Sequence, residues 1–427
     1  MDIKRVLKEQ LELVKPSDSE IKILKKKTGE FIKSLNAELK KSGHGGEIFV
    51  GGSFAKNTMI KGNYDIDVLV RFSWEYEDIS ILLEKPLRNL AKKNKWSLEK
   101  IHGSRDYFRV YFSDKDYFEV IPVTKIKKPK EAKNVTDLTY FHVPYIKKKI
   151  GKLNGDIILA KTFCQAQKVY GAETYVRGFS GYALELLVIH YKGFENMLKQ
   201  LVKVKKGDRI IVDSAKHYKK NDAFFELNEA KLSSPVIVVD PTYKERNALA
   251  ALSRETFEKF QDSAKRFLKS PSNRFFVEEK IEVDKLWDLA KKNKAEFIHV
   301  KLKTDRQAGD IAGTKLKKFH YFVEKEIKKY FQLLKHEFEY DDEQSANFYM
   351  VVKSKGEIVQ IGPPMQTKGL HKHIKAFKEA HMGNTFAKNN VLHAKIKVDF
   401  TGKEFLEKIN RDKDNLNEMG ITEIEVD

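Results

Sequence analysis

Asp65 and Asp67 stand two residues apart in DIDVLVRF, residues 65–72, whose alternation and β-branched side chains predict a strand. Residues i and i+2 of a strand point to one face, with Cβ atoms about 6.6 Å apart at a rise of about 3.3 Å per residue. Two carboxylates on one face repel each other, and a divalent cation between them relieves the repulsion. Glu119 is the candidate third member, because it interrupts the apolar run Phe118-Glu119-Val120-Ile121. A carboxylate inside an apolar strand costs stability unless it is solvated or paired. Facing the aspartates from a neighbouring strand, it completes an all-oxygen donor set of the kind Mg²⁺ takes with substrate phosphates and water. No histidine or cysteine lies at zinc-ligand spacing here. The competing reading leaves both aspartates on a wet strand face and pairs Glu119 with a lysine.

Gly52-Ser53 precedes these carboxylates. Glycine lets a backbone approach a ligand closely, and a serine at a helix start offers its hydroxyl and nearby N–H groups to an anion. Such a turn suits the β and γ phosphates of a nucleotide. It is not a P-loop, since GxxxxGK[ST] is absent. An ordinary helix cap is the competing role for Ser53.

The elements that must hold these groups follow from periodicity. Ser17 with Glu20 is a capping-box pattern, and Ile21, Leu24, Phe31, Leu35 and Leu39 continue it as a helix up to Ser42-Gly43. Ile48-Phe49-Val50 is a short strand, a helical piece runs from Phe54 to about Ile60, and Gly62-Asn63 turns into the aspartate strand. A helix near 79–93, a strand near 96–101 and a hairpin of 107–112 with 117–123 complete a small mixed α/β unit. The lysine- and proline-rich connector 125–133 leads out of it. Helices are expected at 155–170, 180–193 and about 248–268, with strands at 209–213 and 235–240. Beyond Pro271, strands at 297–303, 347–354 and 391–398 alternate with helices at about 314–334 and 366–381.

The charge is +20, from 81 basic and 61 acidic residues spread along 427 positions. A distributed excess suits a large polyanion better than one small anionic substrate. The single cysteine, Cys164, lies in a predicted helix and excludes an intramolecular disulfide or a multi-cysteine zinc site. With no leader-like start and no apolar run of membrane length, an intracellular, cytoplasmic protein is expected.

Gly52-Ser53, Asp65-Ile66-Asp67-Val68 and Phe118-Glu119-Val120 together resemble the three-part signature of polymerase-β-like nucleotidyltransferases. Three later stretches narrow the likeness: Tyr170-Gly171-Ala172-Glu173, Val176 to Tyr182 with Glu185-Leu186-Leu187, and Asp240-Pro241 with Arg246-Asn247 and Ala250-Ala251. These look like the archaeal class of CCA-adding enzyme. The likeness runs from the first helix to the GPP at 362–364, loosely in its C-terminal part.

The resemblance implies an α+β multidomain fold: a polymerase-β-like head at 1–137, a helix-rich central domain at 138–270, and an α+β tRNA-binding region at 271–427. It implies addition of C, C and A to the 3′ end of tRNA from CTP and ATP, with two Mg²⁺ ions, contact to the acceptor stem, and a homodimer. A poly(A) polymerase or other RNA terminal transferase is the alternative. Asp65, Asp67 and Glu119 become the catalytic and metal-holding carboxylates, although the family's third carboxylate is usually aspartate. The nucleotide pocket maps to Gly52, Ser53, Lys56, His142, Lys161, Tyr170 and Arg246.

The residues themselves leave room for plainer roles. Lys161 interrupts an apolar helix face, Tyr170 closes that helix before Gly171, and Arg246 stands at the entrance of the helix at 248–268. Arg177, before Gly-Phe-Ser-Gly, either faces phosphate or caps a helix. Lys315, Lys317, Lys318, Lys325, Lys328 and Lys329 crowd one predicted helix, and Lys368, His371, Lys372, His373 and Lys375 the next. Contact with RNA phosphates competes there with a solvated helix face; Arg177, Lys315, Lys318 and Lys372 are the RNA-binding candidates.

Overall fold

A computed structural model describes residues 2–43, 45–62, 64–219, 222, 226–227, 229–366 and 369–427. Asn63 and Lys368 lie outside the described residues. The chain divides into two units, Met1–Glu279 and Lys280–Asp427.

The first unit opens with helix α1 (Ile3–Val14), which the sequence reading passed over, and α2 (Asp18–Lys41). Ser17 and Glu20 form the expected capping box on α2. Then come β1 (Gly46–Val50), α3 (Gly52–Lys56), β2 (Asp65–Phe72), α4 (Ile81–Asn94), β3 (Ser97–Ile101), β4 (Tyr107–Tyr111) and β5 (Tyr117–Thr124). The five strands form one mixed sheet in the order β1-β2-β5-β4-β3, with β2 and β5 parallel and the other neighbours antiparallel. Ile66, Val68 and Val70 of β2 and Phe118 and Val120 of β5 pack under Leu24, Phe31 and Leu35 of α2 and Leu83, Leu87 and Leu90 of α4. The period of two then turns Asp65, Asp67 and Glu119 to the opposite face.

That face meets the helical part of the same unit: α5 (Thr139–Lys149), α6 (Asn154–Ala166), α7 (Gly181–Tyr191) and α8 (Phe194–Leu201). A small sheet of β6 (Ile210–Val212), β7 (Val236–Asp240) and β8 (Tyr243–Asn247) follows, then the helix Arg254–Lys269. A phenylalanine-rich core of Phe163, Phe179, Phe194, Phe260, Phe267 and Phe276 joins these helices, and Cys164 is buried in it. Two expectations change. The helix expected from 248 starts at Arg254, where Ser253 caps it, so Arg246 sits on strand β8 instead. The helix expected to 170 ends at Ala166, and Tyr170 forms a bridge with Phe179.

The second unit is built on the four-stranded sheet β10-β11-β9-β15, from β9 (Glu296–Lys303), β10 (Phe331–Tyr340), β11 (Ser345–Ser354) and β15 (Glu423–Val426). The long helix Asp310–Tyr330 lays Leu316, Phe319, Val323 and Ile327 on Ile298, Val300 and Phe348 of this sheet. The helix ends earlier than expected because Phe331 starts β10. A second sheet pairs β12 (Glu357–Pro364), β14 (Val391–Lys397) and β13 (Thr385–Lys388). The helix His371–Ala380 buries none of its residues fully. Among the described residues, no helix is long and apolar enough to cross a membrane.

Candidate active site

Asp67 lies directly opposite Glu119 in the parallel register of β2 and β5, so both side chains leave the sheet on one face, with Asp65 one step along. On the other side of β5, Arg109 of β4 is paired with Glu119, its Nε donating to Glu119 Oε1 at 3.5 Å. The partner expected for Glu119 in the plainer reading, a lysine, is thus an arginine. The carboxylates sense one another. Burial first, then the Glu119 and Asp65 charges, push the Asp67 carboxyl up to about 8. Desolvation by the surrounding protein likewise raises Glu119, where Arg109 opposes the rise, and raises Asp65, although Asp65 stands at the exposed start of β2.

Gly52 lies against Asp67. Its φ is +57°, and a Cβ built on it would come within 1.5 Å of Asp67 Oδ2. The neighbouring Gly51 N–H donates to the Asp67 carbonyl at 2.9 Å, fastening the loop to β2. Gly51, not Ser53, takes the cap position of α3, and Ser53 sits within the helix facing the cavity.

That cavity, about 310 Å³, is lined by Gly52, Ser53, Lys56, Asp65, Asp67, Lys161 and Tyr170, together with Tyr182 and Glu185. Glu185 is fully buried and organises it. Its Oε2 accepts from Lys56 Nζ at 2.7 Å, and its Oε1 accepts from Lys161 Nζ at 3.0 Å and Thr58 Oγ1 at 3.1 Å. Burial alone would raise this carboxyl, but the Lys161 and Lys56 charges hold it below its ordinary value. Burial draws Lys161 below its own, against the pull of Glu185. Two ammonium groups share one carboxylate, which leaves a net positive charge facing the carboxylate face of the sheet. Tyr170 extends its hydroxyl to the start of α7, where a Cβ on Gly181 would lie 2.8 Å away.

His142 and Arg246 meet at Asp240. The Asp240 carboxylate, fully buried, takes His142 Nε2 at 2.9 Å, Arg246 Nη1 at 2.9 Å and Tyr182 Oη at 3.1 Å. Burial works to raise Asp240, yet the His142 hydrogen bond and the His142 and Arg246 charges hold it well below the usual carboxylate range. Tyr182 stacks on the His142 ring at 3.9 Å and also lines the cavity, so it joins the two groups. Tyr182 and Glu185 escaped the sequence reading as site residues. The signal was a lone carboxylate in the apolar run GYALELLVIHY, three positions after a tyrosine and so on the same helix face.

Arg177 lies outside this cavity. It is exposed with φ +51°, and its carbonyl accepts from Ser253 N–H at the start of Arg254–Lys269. In the second unit Lys318 and Lys372 are exposed, Lys315 lies half-buried against Gly420, and Lys328 and Lys329 pair with Glu324 and Glu326. Among the described residues, one set of three such side chains brings a candidate metal-ligand atom each to within 4.8 Å of one another: His320, Glu324 and His336, in this second unit. Asp65, Asp67 and Glu119 share a face without being drawn that close. Their all-oxygen donor set and mutual repulsion fit Mg²⁺, which takes carboxylates, phosphates and water.

Residues 31–153 match the nucleotidyltransferase domain family, and residues 155–277 match the second domain of tRNA nucleotidyltransferase. The chain is 42% identical over 222 residues to the CCA-adding enzyme of Nanoarchaeum equitans, covering 51% of this chain and 54% of the relative. It is 34% identical over 270 residues to the CCA-adding enzyme of Methanosarcina acetivorans, covering 62% and 56%. To that of Methanocaldococcus jannaschii it is 28% identical over 342 residues, covering 77% and 73%. The chain thus spans little more than half the length of the first two relatives. Among solved structures, the Cid1 poly(U) polymerase bound to MgATP superposes with a TM-score of 0.50 at 13% identity, over 64% of this chain and 98% of that one, a likeness of fold alone. The carboxylate face of the five-stranded sheet lies within the nucleotidyltransferase-domain match and the helical part that follows it within the match to the second domain of tRNA nucleotidyltransferase, so the chain carries these two domains in order and is similar to archaeal CCA-adding enzymes.

Proposed function

We infer that this protein adds C, C and A to the 3′ end of tRNA, taking CTP and ATP and releasing pyrophosphate. The observation that carries the reading is the pairing of Asp67 with Glu119 on the sheet face that meets Lys56 and Lys161. Negative charge stands where a cation and a hydroxyl are needed, and positive charge where a triphosphate arrives.

Asp65, Asp67 and Glu119 would hold the metal. Two Mg²⁺ ions bound there supply a lowered pKa for the attacking 3′-hydroxyl and charge neutralisation for the triphosphate. Lys56 and Lys161 offer ammonium donors to the phosphates, with Glu185 setting where both point. The Ser53 hydroxyl and the backbone of the Gly52 turn meet the outer phosphates. Tyr170 and Tyr182 flank the sugar and base.

Without a template strand, the choice of base falls to protein hydrogen bonds. Cytosine and adenine share an exocyclic amino group beside a ring nitrogen acceptor. Arg246 presents a planar donor fork suited to that acceptor. Asp240 is already filled by His142, Arg246, Tyr182 and Thr242, so it aims the arginine, and the acceptor for the amino group comes from elsewhere. The exposed lysines of the second unit serve the tRNA body, and Arg177 the strand near its end. Domain limits near 137 and 270, a cytoplasmic location and a homodimer belong to the same proposal, on the strength of the family likeness.

The test is incubation with tRNA lacking its CCA end, with CTP and ATP separately and together, followed by reading of the 3′ terminus. Growth that stops after CCA is the expected result. A long run of adenylates would make the protein a poly(A) polymerase, and no incorporation would remove the proposal.

A further inference from the structure

The helix Asp310–Tyr330 carries His320 and, one turn on, Glu324; the strand that follows it directly, β10, returns His336 to the same spot. His320 Nε2 stands 3.5 Å from His336 Nδ1, which stands 3.9 Å from Glu324 Oε2. All three atoms lie within 4.8 Å of one another, and zinc bonds of about 2.0–2.1 Å in a tetrahedron put ligand atoms about 3.3 Å apart, so the set would close by at most about 1.5 Å around an ion.

The surroundings hold these side chains in place. Only 1% of His320 is exposed, and its ring is wedged against Phe338 and Phe348, which fixes its direction. Its Nε2 faces His336 and is the nitrogen that would meet an ion, while its buried Nδ1 has no hydrogen-bond partner among the described residues. Glu324 turns its Oε1 to Lys328 and leaves Oε2 toward His336, and ligating carboxylates are commonly held in this way. Lys317 also lies near, with its Nζ 4.4 Å from the Phe338 ring centre, where the aromatic face tempers its charge. His336 is partly exposed and leaves the outer side open for a water as fourth ligand.

We propose that His320, Glu324 and His336 form a binding site for one zinc-type divalent cation that clips the helix Asp310–Tyr330 to β10. Two imidazoles and a carboxylate suit zinc rather than Mg²⁺, which demands oxygen. The site is separate from the carboxylates of β2 and β5 and stands whatever the protein's nucleotide acceptor.

The plainer alternative is a bare contact between two imidazoles beside a Glu324–Lys328 ion pair. Cobalt separates the two, because Co²⁺ in a tetrahedral nitrogen-containing site absorbs visible light far more strongly than octahedral Co²⁺ on oxygens. The full chain, stripped with chelator and kept in excess Mg²⁺, is titrated with Co²⁺. One equivalent should develop intense tetrahedral bands that Zn²⁺ abolishes. His336→Ala, a change at the partly exposed ligand, should lose them while keeping the wild-type circular dichroism, and Glu324→Gln should weaken Co²⁺ binding about tenfold or more. No bands in the wild type, only weak octahedral absorption, or bands unaltered in His336→Ala would each overturn the proposal.

Discussion

The carboxylate of Asp67 occupies the place where a side chain on Gly52 would begin, since a Cβ there would lie 1.5 Å from Asp67 Oδ2. Residue 52 also sits at φ +57°, which costs an L-residue about 1–2 kcal/mol. Gly52→Ala should therefore push Asp67 off the metal-holding face. Nucleotide incorporation should fall about 100-fold or more, because a displacement near 1 Å at a reacting centre costs that much. Thermal unfolding should shift far less. Wild-type turnover in this variant would show that Asp67 need not stay where it stands.

Glu185, itself fully buried, binds two nearly buried lysines on the wall of the cavity. Glu185→Leu deprives both buried ammonium groups of the carboxylate they are hydrogen-bonded to, a loss of about 3–5 kcal/mol in stability. Adding Lys161→Met should recover part of that stability but not the activity. Denaturant titration beside a nucleotide-incorporation assay reads both effects. A Glu185→Leu protein as stable as the wild type would mean the lysines find other partners.

The pH dependence of metal binding follows from Asp67. Its carboxyl, at about 8 when no cation is bound, carries a proton at neutral pH that a cation must displace. Apparent Mn²⁺ or Mg²⁺ affinity should rise with pH by up to about tenfold per unit and level off above about 8. Calorimetry at neutral pH in buffers of different ionisation enthalpy should register proton release. The effect on stability has the opposite sign. The folded protein holds a proton on Asp67 that the unfolded chain has lost above its ordinary value, so this group favours folding at low pH and the benefit fades as pH rises through about 8. In chelator, Asp67→Asn should flatten that decline.

Arg246 is not part of the cavity lining; Asp240 holds it at 2.9 Å, with its guanidinium 5.8 Å from the ring centre of Tyr182, which does line the cavity. Arg246→Ala should lower the preference for CTP over UTP by about 10–100-fold, the worth of a hydrogen bond to a charged group. Competition assays with mixed nucleotides measure it directly. An unchanged preference would move base selection to another residue.

RNA affinity should fall steeply with salt if lysines of the second unit contact phosphates. Lys318→Ala and Lys372→Ala should each reduce the slope of log affinity against log salt by about one, with little change in nucleotide binding. Filter binding of a tRNA across a salt series decides it, and a flat response in the wild type would leave these residues as solvated surface.

Local pattern carried much of this protein. Alternation in DIDVLVRF placed Asp65 and Asp67 on one strand face, and the capping box at Ser17 and Glu20 set where α2 begins. The bounds of β2 agree with the sequence reading: exposure alternates from Asp65 to Val68, and the apolar residues that follow are buried on both faces. Arg246 was misread as a helix entrance because β8 is short and polar and takes its strand form from pairing with β7. The expected helix at about 314–334 takes in the first four residues of β10 for a similar reason: FQLL, at the start of FQLLKHEFEY, carries apolar residues at spacings that either structure tolerates.

What the amino-acid order determined by itself was chemistry that depends on neighbours within a few residues: two carboxylates on one face, a glycine before a serine, an excess of lysine. What only the tertiary structure decided was which distant charges share a cavity. Glu185 lies 129 positions from Lys56, and Asp240 lies 98 from His142. No periodicity reaches across such separations. A buried charge is tolerable only where folding brings it a partner, so these pairings follow from the desolvation each ion must offset once the chain has closed around it.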